Sequence, residues 1–208
     1  MSRIDLRYLI DAKSKIISFD SQGDVACERG KLGGDFFDTI SDANLRHVFR
    51  LIFDRVRTDR REICLTLRCD TPTLRRDAYV RIRPFDGDQE GMLEIENGTL
   101  AETPRPPVAL LEADTRRGES FVTICSWCKQ VKVGDDEWVE IEEAVQRLHL
   151  FGQPVLPRLT HGMCPTCYQR LTAMAAGPSV QRQPPSMDAS RAPKNAQGRS
   201  TTPPGSDA

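Results

Sequence analysis

Two pairs of cysteines, Cys125-Ser126-Trp127-Cys128 and Cys164-Pro165-Thr166-Cys167, restrict this 208-residue chain more than anything else in it. A tetrahedral cation takes two thiolates from each tight C-x-x-C turn, so the 35 residues between the pairs must fold back on themselves to close one site. Phe121 to Ile124 lead into the first pair and predict a β-hairpin knuckle. A helix is then expected from about Asp136 to Phe151, with Trp138, Ile141, Val145 and Leu148 as its apolar stripe. Its acidic start (Asp135, Asp136, Glu137, Glu140) and its basic end (Arg147, His149) both complement the helix dipole, and Gly152 stops it. Pro165 opens a second helix running through Tyr168 to Met174. Cys164 and Cys167 would then lie at a positive helix end, which favours the thiolate. Knuckle first and helix-borne pair last is a treble-clef-like layout, spanning residues 120–176. So small a module has little apolar core, and a metal would supply much of its folding free energy.

Three chemistries suit these cysteines. A structural Zn2+ ion bound by Cys125, Cys128, Cys164 and Cys167 has a closed coordination shell and no open catalytic position. A dithiol redox pair at Cys164 and Cys167 would exploit a lowered thiol pKa at the helix start. An iron–sulfur cluster also needs four cysteines, although the ferredoxin spacings are absent. His161 is a neighbour that could replace one ligand or hydrogen-bond beside a sulfur. Lys129 and Lys132 could offset the negative charge of a four-thiolate centre.

Upstream the hydrophobic period changes twice. Ile16, Ile17 and Phe19 predict a strand, Asp20 to Asp24 a turn, and Val25 to Glu28 a returning strand. Ser41 or Asp42 caps a helix to about Arg57, with Leu45, Val48, Phe49, Ile52 and Val56 recurring every three or four residues. Alternation then predicts three strands, around Ile63–Cys69, Tyr79–Arg83 and Met92–Glu96. Pro104, Pro106 and Pro107 mark residues 101–119 as a linker. Residues 177–208 hold six of the 14 prolines and almost no large apolar side chain, which predicts a disordered tail.

Several tempting features carry little. Gly33-Gly34-Asp35-Phe36-Phe37 resembles the Gly-Gly-Asp/Glu-Glu-Phe signature of diguanylate cyclases. Phe36 replaces the acidic residue, however, and only 32 residues precede the motif. His47 lies 200° around the helix from Leu45 at 100° per residue, so it faces away from the apolar stripe. No haem is expected there, and the reactive-cysteine motif of flavin-binding light sensors is absent, with Cys27 in another context. Residues 55–83 carry nine arginines against four acids, a basic sheet face with Arg68, Arg75, Arg76, Arg81 and Arg83. Only Tyr79 is available there for base stacking, so a solvated face is the plainer reading. No nucleophile–base pair, P-loop or dinucleotide fingerprint is present, and the expectation is a non-enzyme with no catalytic residues.

Charge is nearly balanced, at 29 basic against 30 acidic residues, which argues against a general affinity for nucleic acid or membrane. Met1 to Tyr8 lack the apolar core of a secretion signal, and seven cysteines without one suggest a reducing cytoplasm.

The order of elements over residues 8–100, with Phe19-Asp20-Ser21-Gln22-Gly23 and Gly34-Asp35-Phe36-Phe37, resembles a PAS domain. That resemblance implies an α+β fold: a five-stranded antiparallel sheet with flanking helices, a cavity between them, and a sensory or interaction role. Ile124-Cys125-Ser126-Trp127-Cys128-Lys129, Trp138 and His161-Gly162-Met163-Cys164-Pro165-Thr166-Cys167 resemble a C-terminal module that follows PAS and similar sensor domains in bacterial signalling proteins. Together they imply a cytoplasmic bacterial signalling adaptor (PAS-like residues 1–100, zinc module 120–176) that binds a protein partner or a second copy of itself. The alternatives are a thiol redox sensor using Cys164 and Cys167, and a nucleic-acid-binding zinc protein using the arginine-rich face.

Overall fold

The computed structural model describes residues 3–21, 31–86, 90–150 and 152–177. The expected returning strand at Val25 to Glu28, Cys27 and the proline-rich tail beyond Gly177 lie outside the described residues. The chain is α+β, with strands outnumbering helices. Among the described residues no helix is long and apolar enough to cross a membrane.

Five strands form the first sheet: β1 (Arg3–Ile10), β2 (Ile16–Ser21), β3 (Ile63–Arg68), β4 (Leu74–Pro84) and β5 (Leu93–Pro104). Their order is β2-β1-β5-β4-β3, with every neighbour antiparallel. Ile16–Ser21 pairs with the preceding strand β1, through a turn in which Asp11 Oδ1 accepts from the amides of Lys13 and Lys15 at 2.9 and 2.7 Å. Charged Arg3, Asp5 and Arg7 hide β1 in the sequence, yet Leu6, Tyr8 and Ile10 alternate with them and are buried.

Helix α1 (Ala43–Asp59) crosses the inner face of this sheet. Asp42 is its cap, accepting from the Leu45 amide at 2.6 Å, and Arg60 ends it in the left-handed region at φ 54°. The predicted stripe is buried from Val48 onward, and Phe53 joins it. Asp35 starts a 3-10 turn, Phe36–Thr39, that drops Phe36 and Phe37 into the same core. Phe36, Phe37, Phe49, Phe53 and Tyr8 pack ring on ring, with centroids 5.3–6.3 Å apart. The Gly33-Gly34-Asp35-Phe36-Phe37 motif is thus a turn that plugs the core.

The second sheet, in the order β8-β7-β6-β9, is built from β6 (Arg117–Cys125), β7 (Val131–Lys132), β8 (Trp138–Val139) and β9 (Leu156–Gly162). Here β6 and β9 run parallel. The long helix expected over 136–151 is replaced by β8 followed by the short α2 (Ile141–Arg147). Trp138 and Val139 pair with Lys132 and Val131, so the first apolar residue of the supposed helical stripe belongs to a strand. Helix α3 (Pro165–Ala176) begins at the predicted proline.

Residues 101–119, expected to be a linker, include the ends of two strands. β5 continues to Pro104, Leu110 is buried, and β6 begins at Arg117. One apolar core contains Leu6, Ile52, Val80 and Ile95 from the first sheet and α1, together with Cys125, Trp127, Cys164, Cys167 and Leu171. A second, smaller core around Val131, Ile141 and Leu156 closes the other side of the four-stranded sheet.

Candidate metal centre

Parallel pairing of β6 with β9 brings the two cysteine pairs together. Cys125, the last residue of β6, lies in register with Gly162, the last residue of β9. The chain leaves both strands at one level, and Cys164 follows Gly162 by two residues. Gly162 has to be small: a Cβ there would lie 2.9 Å from Thr123 Cγ2. The first pair closes as a knuckle, with the Cys125 amide donating to Gln130 O at 2.7 Å and the Lys129 amide to Cys125 O at 3.1 Å. Lys129 takes the left-handed conformation (φ 65°) that this turn needs. The Ser126 amide donates to Gly162 O at 2.8 Å and ties the knuckle to β9.

The four sulfurs of Cys125, Cys128, Cys164 and Cys167 all lie within 4.8 Å of one another. Cys128 Sγ and Cys164 Sγ are 3.8 Å apart. Four sulfurs at about 2.3 Å from a tetrahedral centre are about 3.8 Å from each other, so the donor set fits a tetrahedral ion. Cys125, Cys164 and Cys167 are buried and Cys128 is half-buried, which leaves little room for a solvent ligand. Backbone amides support the sulfurs: Cys164 N–H points at Cys125 Sγ, and Cys167 N–H at Cys164 Sγ, both at 3.4 Å. Cys164 is thereby the cap of α3.

Cys125, Cys128 and Cys167 compete for one negative charge. Hydrogen bonds from Cys128 and Cys167 hold Cys125 far below the ordinary thiol range. Sharing that bond pushes Cys128 up to about 12, and Cys125 likewise raises Cys167. One thiolate is accommodated and further ones are resisted, because like charges would accumulate in a buried pocket. A divalent cation removes that resistance. Burial lowers the Lys129 ammonium, against the pull of nearby Cys69, Cys125 and Asp70, and its Nζ donates to Ser126 O at 3.0 Å.

Trp127, between Cys125 and Cys128, packs the sulfur cluster against the first sheet and α1. Its ring is 1% exposed and lies 6.4 Å, centroid to centroid, from Phe49 of α1. Its indole N–H donates to Thr66 O at 2.9 Å, and its carbonyl accepts from the Arg68 amide at 2.9 Å. A charged cluster flanks this contact. The Asp70 side chain is wholly buried and pairs with Arg68 and with Arg105, the latter at 3.1 Å. Arg68 also pairs with Glu140, and Arg105 with Glu142 at 3.1 Å, across to the cysteine-bearing sheet and α2. Sequence reasoning assigns no role to Asp70 or Arg105, and places Glu140 at the acidic start of a helix and Trp127 within the cysteine motif without giving either a packing or pairing partner. An indole inside a C-x-x-C turn was the one available signal.

The remaining candidates separate from the centre. His161 sits beside Ile124 in register and is exposed, outside the sulfur cluster. Lys132 and His47 are exposed. The arginine-rich face is not a free basic surface, because carboxylates of β5 run through it. Arg81 pairs with Glu96 at 3.2 Å, Arg83 with Glu94 at 2.5 Å and Arg76 with Glu102 at 2.8 Å. Glu94 and Glu96 are themselves buried under these side chains, and Arg68 is buried as well, contrary to the expectation of solvated residues. A surface cleft of about 510 Å³, lined by Arg57, Arg60, Phe85 and Glu90 among others, contains none of the four cysteines. Comparison of the chain with protein-family models, with curated proteins and with solved structures found no match.

Proposed function

We propose that this chain is a bacterial signalling adaptor in which a PAS-like sheet domain is locked to a treble-clef-like structural zinc module, and that it acts in the cytoplasm by binding a protein partner. The observation that carries the metal half is the cluster of four sulfurs within 4.8 Å of one another. A buried, fully donated four-thiolate shell suits zinc held for structure, with no open coordination position for a reaction. The β2-β1-β5-β4-β3 order with α1 on one face supports the PAS-like half. The space between sheet and α1 is filled by Phe36, Phe37, Phe49 and Phe53, which favours an outer surface over an internal cavity as the place where a partner is received.

The arginine–glutamate pairing on the outer sheet face weighs against the nucleic-acid reading, since arginines already neutralised release few counterions from a phosphate backbone. For the redox reading, the clustered sulfurs offer contact across the two pairs, with Cys128 and Cys164 at 3.8 Å, as well as within Cys164-Pro-Thr-Cys167.

Elemental analysis after purification without chelators tests the metal, with one zinc per chain expected and none from Cys164→Ser. A well-folded chain that holds no metal refutes it. Capture from the native cell with wild type and with Cys164→Ser tests the adaptor role: a defined partner retained by wild type supports it, and no specific partner in repeated captures counts against it.

A further inference from the structure

β3 is the last strand of the five-stranded sheet. One side pairs with β4, and the other presents backbone groups that nothing in its own sheet satisfies. Such an edge invites pairing with another chain unless something covers it. Here Trp127 covers it twice. Its indole N–H takes Thr66 O and its carbonyl takes the Arg68 amide, each at 2.9 Å, so one residue caps two successive outward-facing positions of the strand. The same ring packs against Phe49 of α1, centroid to centroid at 6.4 Å.

Trp127 is flanked on both sides by sulfur donors, Cys125 two residues before it and Cys128 immediately after it, ahead of Lys129's left-handed turn. The position of its backbone is therefore set by the knuckle. Ion binding fixes that knuckle against Cys164 and Cys167. Without an ion, the sulfur cluster is held by hydrogen bonds among the sulfurs, the two amide–sulfur contacts at 3.4 Å and the Ser126 amide on Gly162 O, with no coordinate bonds joining the two pairs.

We infer that the metal centre is a latch on the β3 edge: an ion held by the four cysteines keeps Trp127 over Thr66 and Arg68, and its removal uncovers that edge together with the adjoining surface of Phe49. This rests on the proposal that the four sulfurs bind an ion. It goes further by giving the ion an effect on β3, more than fifty residues before Cys125 in the chain. The salt bridges from Arg68 to Glu140 and from Arg105 to Glu142 remain when the ion leaves and act as a hinge side, so the opening is local.

The experiment uses the full chain with one equivalent of zinc and again after a strong chelator, with released zinc measured by a metallochromic dye. Amide exchange is followed at Arg68, with the Val80 and Ile82 amides of β4 as internal references. Trp127 emission is followed in a Trp138→Phe background. Expected on zinc release are roughly tenfold faster exchange at Arg68, the loss of about one hydrogen bond's protection, a red shift of Trp127, and little change in β4. A Trp127→Phe variant keeps all four sulfurs. It is expected to retain one zinc and, because the carbonyl of residue 127 still accepts from the Arg68 amide, to keep that amide slow while zinc is bound and to speed it on zinc release, losing only the indole bond to Thr66 O. Zinc release that leaves Arg68 exchange and Trp127 emission unmoved overturns the latch and leaves the metal reading standing. Uniform acceleration through β4 also overturns it, because the ion would then hold the whole fold. A chain that takes up no zinc removes the metal reading and the latch with it.

Discussion

Replacing Trp127 with alanine asks whether the two sheets share one core. A buried tryptophan removes about 150–250 Å² from water, worth about 4–6 kcal/mol at about 25 cal/mol per Å². Measured tryptophan and phenylalanine truncations in cores fall at about 3–5 kcal/mol. The indole bond to Thr66 O adds about 1 kcal/mol, offset in part because the freed carbonyl sits on a strand edge that water can reach. The expected loss is therefore about 4–5 kcal/mol, a large fraction of the ~5–15 kcal/mol of a typical domain. Urea unfolding with excess zinc is the assay, followed by far-ultraviolet dichroism and by exchange of β4 and β5 amides. With a urea slope of about 3 kcal/mol/M, the midpoint drops by about 1.3–1.7 M. The first sheet shifts together with the cysteine-bearing one, since Trp127 packs with Ile52, Val80 and Ile95 in a single cluster. If the β4 and β5 amides keep their midpoint while only the second sheet melts early, the shared core is wrong.

Metal affinity rises with pH, because ligation needs thiolates: Cys128, raised to about 12, and Cys167, also raised, must each lose a proton, whereas Cys125 is already ionised. Competition titrations between about pH 6 and pH 8 should give at least about two decades of affinity per pH unit, one per displaced proton, and a flat profile contradicts this. Glu96→Gln leaves Arg81 and Tyr79 Oη short of a charged acceptor and weakens the 3.5 Å contact with Arg7. With Arg7 42% exposed and partly screened, the expected cost is about 1–3 kcal/mol by urea unfolding, and a change below about 0.5 kcal/mol would show the carboxylate to be dispensable. Gly162→Ala drives a methyl to 2.9 Å from Thr123 Cγ2, which should cost about 1–3 kcal/mol and weaken zinc binding. Adding Thr123→Ser removes that methyl and should restore both, and failure of the rescue would locate the damage elsewhere.

Much of this molecule is legible in its sequence wherever one residue's chemistry or a local period decides. Cys125, Cys128, Cys164 and Cys167 are identifiable by spacing alone, because two ligands per tight turn is a local requirement. The stripe from Val48 to Val56 and the alternation through Ile63, Val80 and Leu93 place α1 and three strands, since each period matches one buried face. Pro165 marks the start of α3. The failures occur where burial overrides local preference. β1 reads as charged because Arg7 lies on the outer face, where it meets Glu94 and Glu96. Residues 136–140 read as helix because their acids suit a helix start, yet β7 offers Trp138 and Val139 a strand partner.

The amino-acid order by itself determined which four cysteines could hold a metal ion, the α+β character and the main helix, because ligand spacing and hydrophobic period act over a few neighbouring residues. Only the tertiary structure decided that the knuckle lies on the β3 edge, that Trp127 joins the core of the first sheet, and that Glu94 and Glu96 are buried beneath arginines. Those outcomes depend on shape and charge matching between segments far apart in the chain, where many partners are compatible with any one residue and packing selects among them.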